Sequence, residues 1–193
     1  MKTNLIYLPL GLTLGSLSLV ACGGDDPVSY SAPVGINLKA KSSDTVNNVV
    51  TDEKGINTES GNPYGAFVTD ARRELGRDPD QIDVEEVTVL LGAGSTGVTR
   101  LGEVFTGNVE ILFIMNDTNN TYPVAAGTIA ADATGGPLDL GSSFDAGAVP
   151  ALDYDKLLGG NFKVVIRAPA ATGFSSKGAD ANIQVTLTFA AYE

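Results

Sequence analysis

The sequence predicts an all-β domain: an antiparallel β-sandwich of roughly six to eight strands, Ig-like or jelly-roll-like, with one short inserted helix. Three observations carry this reading. Apolar and polar residues alternate with period two in several segments after Pro33, as strands do when one face meets a core and the other water. One segment carries helix punctuation at both ends. Neither heptads nor internal repeats break the pattern. The predicted sandwich spans residues 34–193.

The first strand is the run Val34, Ile36, Leu38 and Ala40, alternating with Gly35, Asn37, Lys39 and Lys41. The helix follows: Asn62 is a capping residue, Pro63 suits the first helical position and Gly76 suits the exit. Between them Phe67, Ala71 and Leu75 fall on one face, with Asp70, Arg72, Arg73 and Glu74 mostly elsewhere. Val87, Val89 and Leu91 then share a strand face against Glu86 and Thr88. In Val109–Met115 the run Ile111-Leu112-Phe113-Ile114-Met115 is continuously apolar, which predicts a central strand buried on both faces. The turn Asn116-Asp117-Thr118-Asn119-Asn120 leads to a hairpin partner over Tyr122–Ile129. Phe162, Val164, Ile166 and Ala168 form another alternating set, and Ile183, Val185, Leu187 and Phe189 the last. That final strand ties the C-terminus into a sheet.

Composition removes several chemistries. The 193 residues include no His and no Trp, one Cys, 23 Gly, and 23 acids against 12 bases. Without His there is no Ser-His-Asp triad and no imidazole metal ligand. A single Cys forms no intrachain disulfide and no Cys-built zinc site.

That Cys closes an N-terminal segment. Lys2 is followed by the apolar stretch Leu5 to Val20, interrupted by Pro9, Gly and hydroxyl residues, as in a secretory signal peptide over residues 1–21. It ends Leu19-Val20-Ala21-Cys22, which resembles the lipobox of bacterial lipoproteins. The resemblance implies cleavage before Cys22, acylation of its thiol and new amino group, and a lipidated tether over residues 22–33. Gly23 rather than Asp follows the Cys, which by the same resemblance favours the outer membrane over the inner. Loss of Lys2 with the signal leaves a net charge of −12. A chain so acidic is not expected to bind nucleic acid or an anionic bilayer by charge, so acyl chains supply its membrane attachment.

Gly92-Ala93-Gly94-Ser95-Thr96-Gly97 is a GxGxxG after a strand-like run, with a second apolar strand and Asp117 beyond it. It resembles the Rossmann dinucleotide motif, which implies pyrophosphate at a helix N-terminus after Gly97 and Asp117 on the ribose. Val98 to Gly107 is poor material for that helix. The other reading is a glycine-rich loop between antiparallel strands.

Between Arg100 and Lys156 lie Glu103, Glu110, Asp117, Asp132, Asp139, Asp145, Asp153 and Asp155, without one base. Within this stretch begins a Gly/Pro-rich segment, Asp132 to Gly160, with little periodicity, which predicts a long loop. Two readings stay open: solvated, solubilising acids, or Ca²⁺ coordination by Asp117 with Asn119 or Asp153 with Asp155. Asp78-Pro79-Asp80 with Asp83 reads as a turn before a strand. Arg72, Arg73 and Arg77 are either a phosphate-headgroup contact or a solvated helix face balanced by Asp70, Glu74 and Asp78. Ala93-Gly94-Ser95-Thr96-Gly97 has Ala where the nucleophile elbow needs Gly.

The expected function is therefore an outer-membrane-anchored envelope lipoprotein with a binding or structural role, without catalysis, cofactor or nucleic acid, its envelope protein or glycan partner unspecified. The alternatives are an envelope polysaccharide-acting enzyme using carboxylates or Ca²⁺ and, more remotely, a dinucleotide-binding protein using Gly92–Gly97.

Overall fold

The computed structural model describes residues 28–193. The signal peptide over residues 1–21, Cys22 and the tether as far as Pro27 lie outside the described residues. Eight strands form: β1 (Ser29–Lys41), β2 (Val49–Ile56), β3 (Gln81–Leu91), β4 (Gly107–Met115), β5 (Thr121–Ile129), β6 (Leu138–Ser142), β7 (Phe162–Pro169) and β8 (Asp180–Tyr192). Two helices interrupt them, α1 (Pro63–Leu75) and α2 (Ala151–Leu158).

The strands hydrogen-bond in the order β1-β8-β3-β6-β5-β4-β7-β2, every pair antiparallel. The pairs β1·β8, β2·β7, β3·β6 and β4·β5 are the rungs of one long hairpin rolled over on itself, which is the jelly roll and not the Ig arrangement. The two four-stranded faces are joined where β5 meets β6, through Ala125↔Ser142 and Ala126↔Gly141. One sheet therefore folds back over its own core. Inward-facing residues fill it: Val34, Ile36 and Leu38 from β1, Ile111 and Phe113 from β4, Val164 and Ile166 from β7, and Val185, Leu187 and Phe189 from β8, all buried.

Helix α1 forms as its ends dictate. The Asn62 side chain accepts from the Tyr64 N–H at 3.0 Å, Pro63 occupies the first turn, and Gly76 closes the helix at φ 71°. Its buried face puts Tyr64 and Phe67 into an aromatic cluster with Phe162 and Phe189, ring centroids 5.0–5.4 Å apart across the two faces of the sheet. The helix thus plugs the sandwich where β1 begins and β8 ends.

Four expectations need correction. β1 starts at Ser29, so residues 29–33, assigned to the tether, belong to the sheet; Pro33 is tolerated because β1 is an edge strand. β2 was not foreseen, since Asp52, Glu53 and Lys54 break its apolar pattern. The segment 132–160 is not one loop but contains β6 and α2, a second helix of eight residues. In β4 the alternate residues Leu112 and Ile114 are only half-buried, so its second face is partly open.

β8 lies between β1 and β3 and pairs with both along almost its full length. Deleting residues 184–193 removes the middle rung of one face, and the expected outcome is loss of the cooperative thermal transition in circular dichroism. A soluble truncate that melts cooperatively contradicts this placement.

Candidate functional site

Three of the four candidate calcium ligands lie in or beside the turn between β4 and β5. Asp117 and Asn119 sit there with φ of 65° and 54°, as Asx residues tolerate in tight turns. Asp153, in the first turn of α2, is 1% exposed. Its carboxylate accepts from the Thr118 hydroxyl at 2.8 Å, the Asn120 amide at 2.7 Å and the Tyr122 hydroxyl at 2.6 Å. Lys156 pairs with Asp117 at 2.8 Å. Asp155 is exposed and joins neither. Hydrogen-bond donors thus already occupy both oxygens of Asp153, and no group of three metal-ligating side chains gathers among the described residues. The cluster acts as a knot that pins α2 onto the β4–β5 hairpin.

Burial pushes the Asp153 carboxyl upward, but the donors from Tyr122, Asn120 and Thr118, with the Lys156 charge, outweigh it and hold it below the ordinary Asp value. The Tyr122 hydroxyl moves the other way, up to about 12, through burial and the adjoining carboxylate.

Gly92–Gly97 leaves β3 as a loop. The Gly92 N–H donates to Asn182 O at 2.7 Å and the Thr96 N–H to Asp180 O at 2.8 Å, so the loop is bound to the start of β8. Gly94 and Gly97 have φ of 84° and 75°, which a tight turn requires and other residues rarely adopt. No α-helix follows Gly97 before β4. The turn itself accounts for these two glycines.

Three acids of the acid-rich stretch, Glu103, Glu110 and Asp117, meet bases from outside it. Glu110 pairs with Arg167 at 2.7 Å and Glu103 with Lys177 at 3.1 Å. The Glu103 carboxyl is held down to about 2, chiefly by the Thr99 backbone N–H and then by Lys177. Arg72, Arg73 and Arg77 pair with Asp78, Asp70 and Asp80 respectively. Their helix face is balanced, as one of its two readings expects.

The third location was not foreseen. β1 and β2 are the two ends of the strand order, so each has one free edge. They lie side by side without a ladder, bridged where the Lys39 backbone N–H donates to Asp52 Oδ2 at 2.7 Å. The seam holds two grooves. One, of about 210 Å³, lies between Val34–Asn37 and Lys54–Ile56 and reaches the start of α1. The other, of about 150 Å³, has Lys39, Lys41 and Asp52 among its walls. Among the described residues every arginine forms an ion pair, as do Lys156, Lys163 and Lys177. The lysines left without one are Lys39, Lys41 and Lys54, all exposed, all on this seam. A sequence signal existed: no acid occurs between Asp26 and Asp44, although the chain carries 23.

No family model and no curated protein matches the chain. Among solved structures, the empty head of turnip yellow mosaic virus is similar at 13% identity and a TM-score of 0.29, covering 100% of this chain and 90% of that one. A likeness at that level carries no argument.

The Asp153 knot generates a signed pH prediction. A carboxyl whose folded pKa lies below its unfolded value contributes stability that is fully present above the unfolded value, about 3.9, and is lost as pH falls through the folded one. Asp153→Ala strands three donors and is expected to cost about 2–4 kcal/mol at pH 7. Its deficit relative to wild type should shrink in denaturant melts below about pH 4. A deficit that stays constant from pH 7 to pH 3 contradicts an ionised Asp153.

Proposed function

We propose that this chain is an outer-membrane-anchored envelope lipoprotein that acts by binding or in a structural role rather than by catalysis. The observation that carries the reading is the placement of the chain's one Cys, directly after Leu19-Val20-Ala21 at the end of a signal-like segment. Only Gly23–Val28 separates it from the start of β1. At about 3.5 Å per extended residue that tether reaches roughly 20–25 Å, so a domain anchored through Cys22 stands close to the bilayer. None of the helices among the described residues is long and apolar enough to cross a membrane; in this reading acyl chains on Cys22 supply the attachment. Four carboxylates of the acid-rich stretch are already engaged, which suits a binding or structural role for that region. Asp153 is tied to three donors, and Glu103, Glu110 and Asp117 are each held by a base.

Expression of the full chain in a Gram-negative host tests the anchor. The wild type is expected in the detergent phase of a Triton X-114 partition and in the outer-membrane band of a sucrose gradient. Cys22→Ser is expected to leave both. Equal detergent partitioning of Cys22→Ser contradicts acylation at Cys22, and an inner-membrane band contradicts the outer-membrane assignment.

A further inference from the structure

The seam between β1 and β2 combines features that no other surface of the described residues shares. Strand edges carry unpaired backbone N–H and C=O groups and invite another strand, so proteins guard them with charges and bulges. Here one guard is Asp52, whose carboxylate takes the β1 edge N–H of Lys39 at 2.7 Å. It stands where a neighbouring strand's carbonyl would stand in a ladder. The 210 Å³ groove beside it is floored by Val34, Ile36 and Ile56, which are 2–7% exposed. Lys54 stands at its rim, and the adjoining groove of about 150 Å³ carries Lys39 and Lys41 beside Asp44 and Asp52; the three lysines have no ion-pair partner in a chain of net charge −11. Three unpaired lysines along an open edge, with an apolar-floored groove beside two of them and Lys54 on its wall, select for an extended segment with carboxylates on one face and apolar side chains on the other.

We propose that the seam is a docking site for an extended, carboxylate-bearing peptide of a partner protein. The peptide adds as a strand along the free edge of β1 and displaces Asp52 from the Lys39 N–H. Alternate acidic side chains meet Lys39 and Lys41 on the outer face, with Lys54 opposite across the groove, while the intervening apolar side chains enter the groove above Ile36 and Ile56. Main-chain hydrogen bonds then give affinity and the lysines give specificity, as in strand addition generally. This rests on the binding role proposed above, but not on the anchor.

The test uses the full chain purified in nonionic detergent and fluorescence anisotropy with a labelled octapeptide of alternating Val and Glu. Expected results are saturable binding of that peptide and no binding of its Val/Lys counterpart. Lys39→Gln, Lys41→Gln and Lys54→Gln combined should weaken binding at least tenfold, and Asp52→Asn should tighten it several-fold. N-methylation of alternate peptide nitrogens should abolish binding, because it removes the ladder. Equal binding by the N-methylated peptide overturns strand addition. Unchanged affinity in the triple lysine variant overturns the site, and full displacement by millimolar inorganic phosphate or by polygalacturonate overturns the peptide as ligand. A failed Triton X-114 partition together with successful peptide binding removes the anchor and leaves the seam, and the converse result does the opposite.

Discussion

The pairing of β1 with β8 is the interaction on which the rest depends. It zips the two ends of the described chain together from Ser29↔Tyr192 to Lys41↔Asp180, so it closes the largest loop in the molecule and encloses every other pair. Inside it β2·β7 and β3·β6 lie on opposite faces with a core between them. Such nested, long-range pairing carries a large loop-closure cost, which is the physical reason jelly rolls fold slowly compared with helical domains. The burial of β8's entire inward face offsets it.

The same geometry produces the seam. A rolled hairpin of eight strands ends in two edges, β1 and β2, and these meet without pairing. α1 closes one end of that gap with Tyr64 and Phe67, and the Asp52 carboxylate bridges it further along. The remainder is the pair of grooves, and the lysines of the described residues that lack an ion pair, Lys39, Lys41 and Lys54, line them. Elsewhere two acids of the one-sided run, Glu110 and Glu103, meet bases brought in from β7 and from the loop before β8.

Much of the fold was legible because its signals are local. Asn62, Pro63 and Gly76 bracket α1 through their own backbone preferences, and the alternation in β1, β7 and β8 follows from burial of one face. What escaped depends on tertiary partners. α2 has only eight residues and Pro150 at its cap, with no side-chain cap bond; it is held by Asp153 reaching Thr118, Asn120 and Tyr122 on another element. β2 carries charges at Asp52 and Lys54 because it borders an opening, so its period-two pattern is erased where the seam lies. For the same reason the candidate site was missed. Lys39 and Lys41 look like the ordinary wet face of a strand until Lys54 is placed across from them. The calcium candidates are two separate pairs in the sequence, Asp117 with Asn119 and Asp153 with Asp155, and counting acids says nothing about the hydroxyl and amide donors that engage Asp153.

β8 is the inner rung of its face, and the β1–β2 seam stays unzipped. Residue-resolved amide hydrogen exchange separates these two states of the edge. Exchange is expected to be slowest in β8, at Val185, Leu187 and Phe189, and orders of magnitude faster at Asn37 and Gly35 on the free edge of β1, with Lys39 intermediate through its bond to Asp52. Protection at Gly35 and Asn37 equal to that of β8 would show a closed seam.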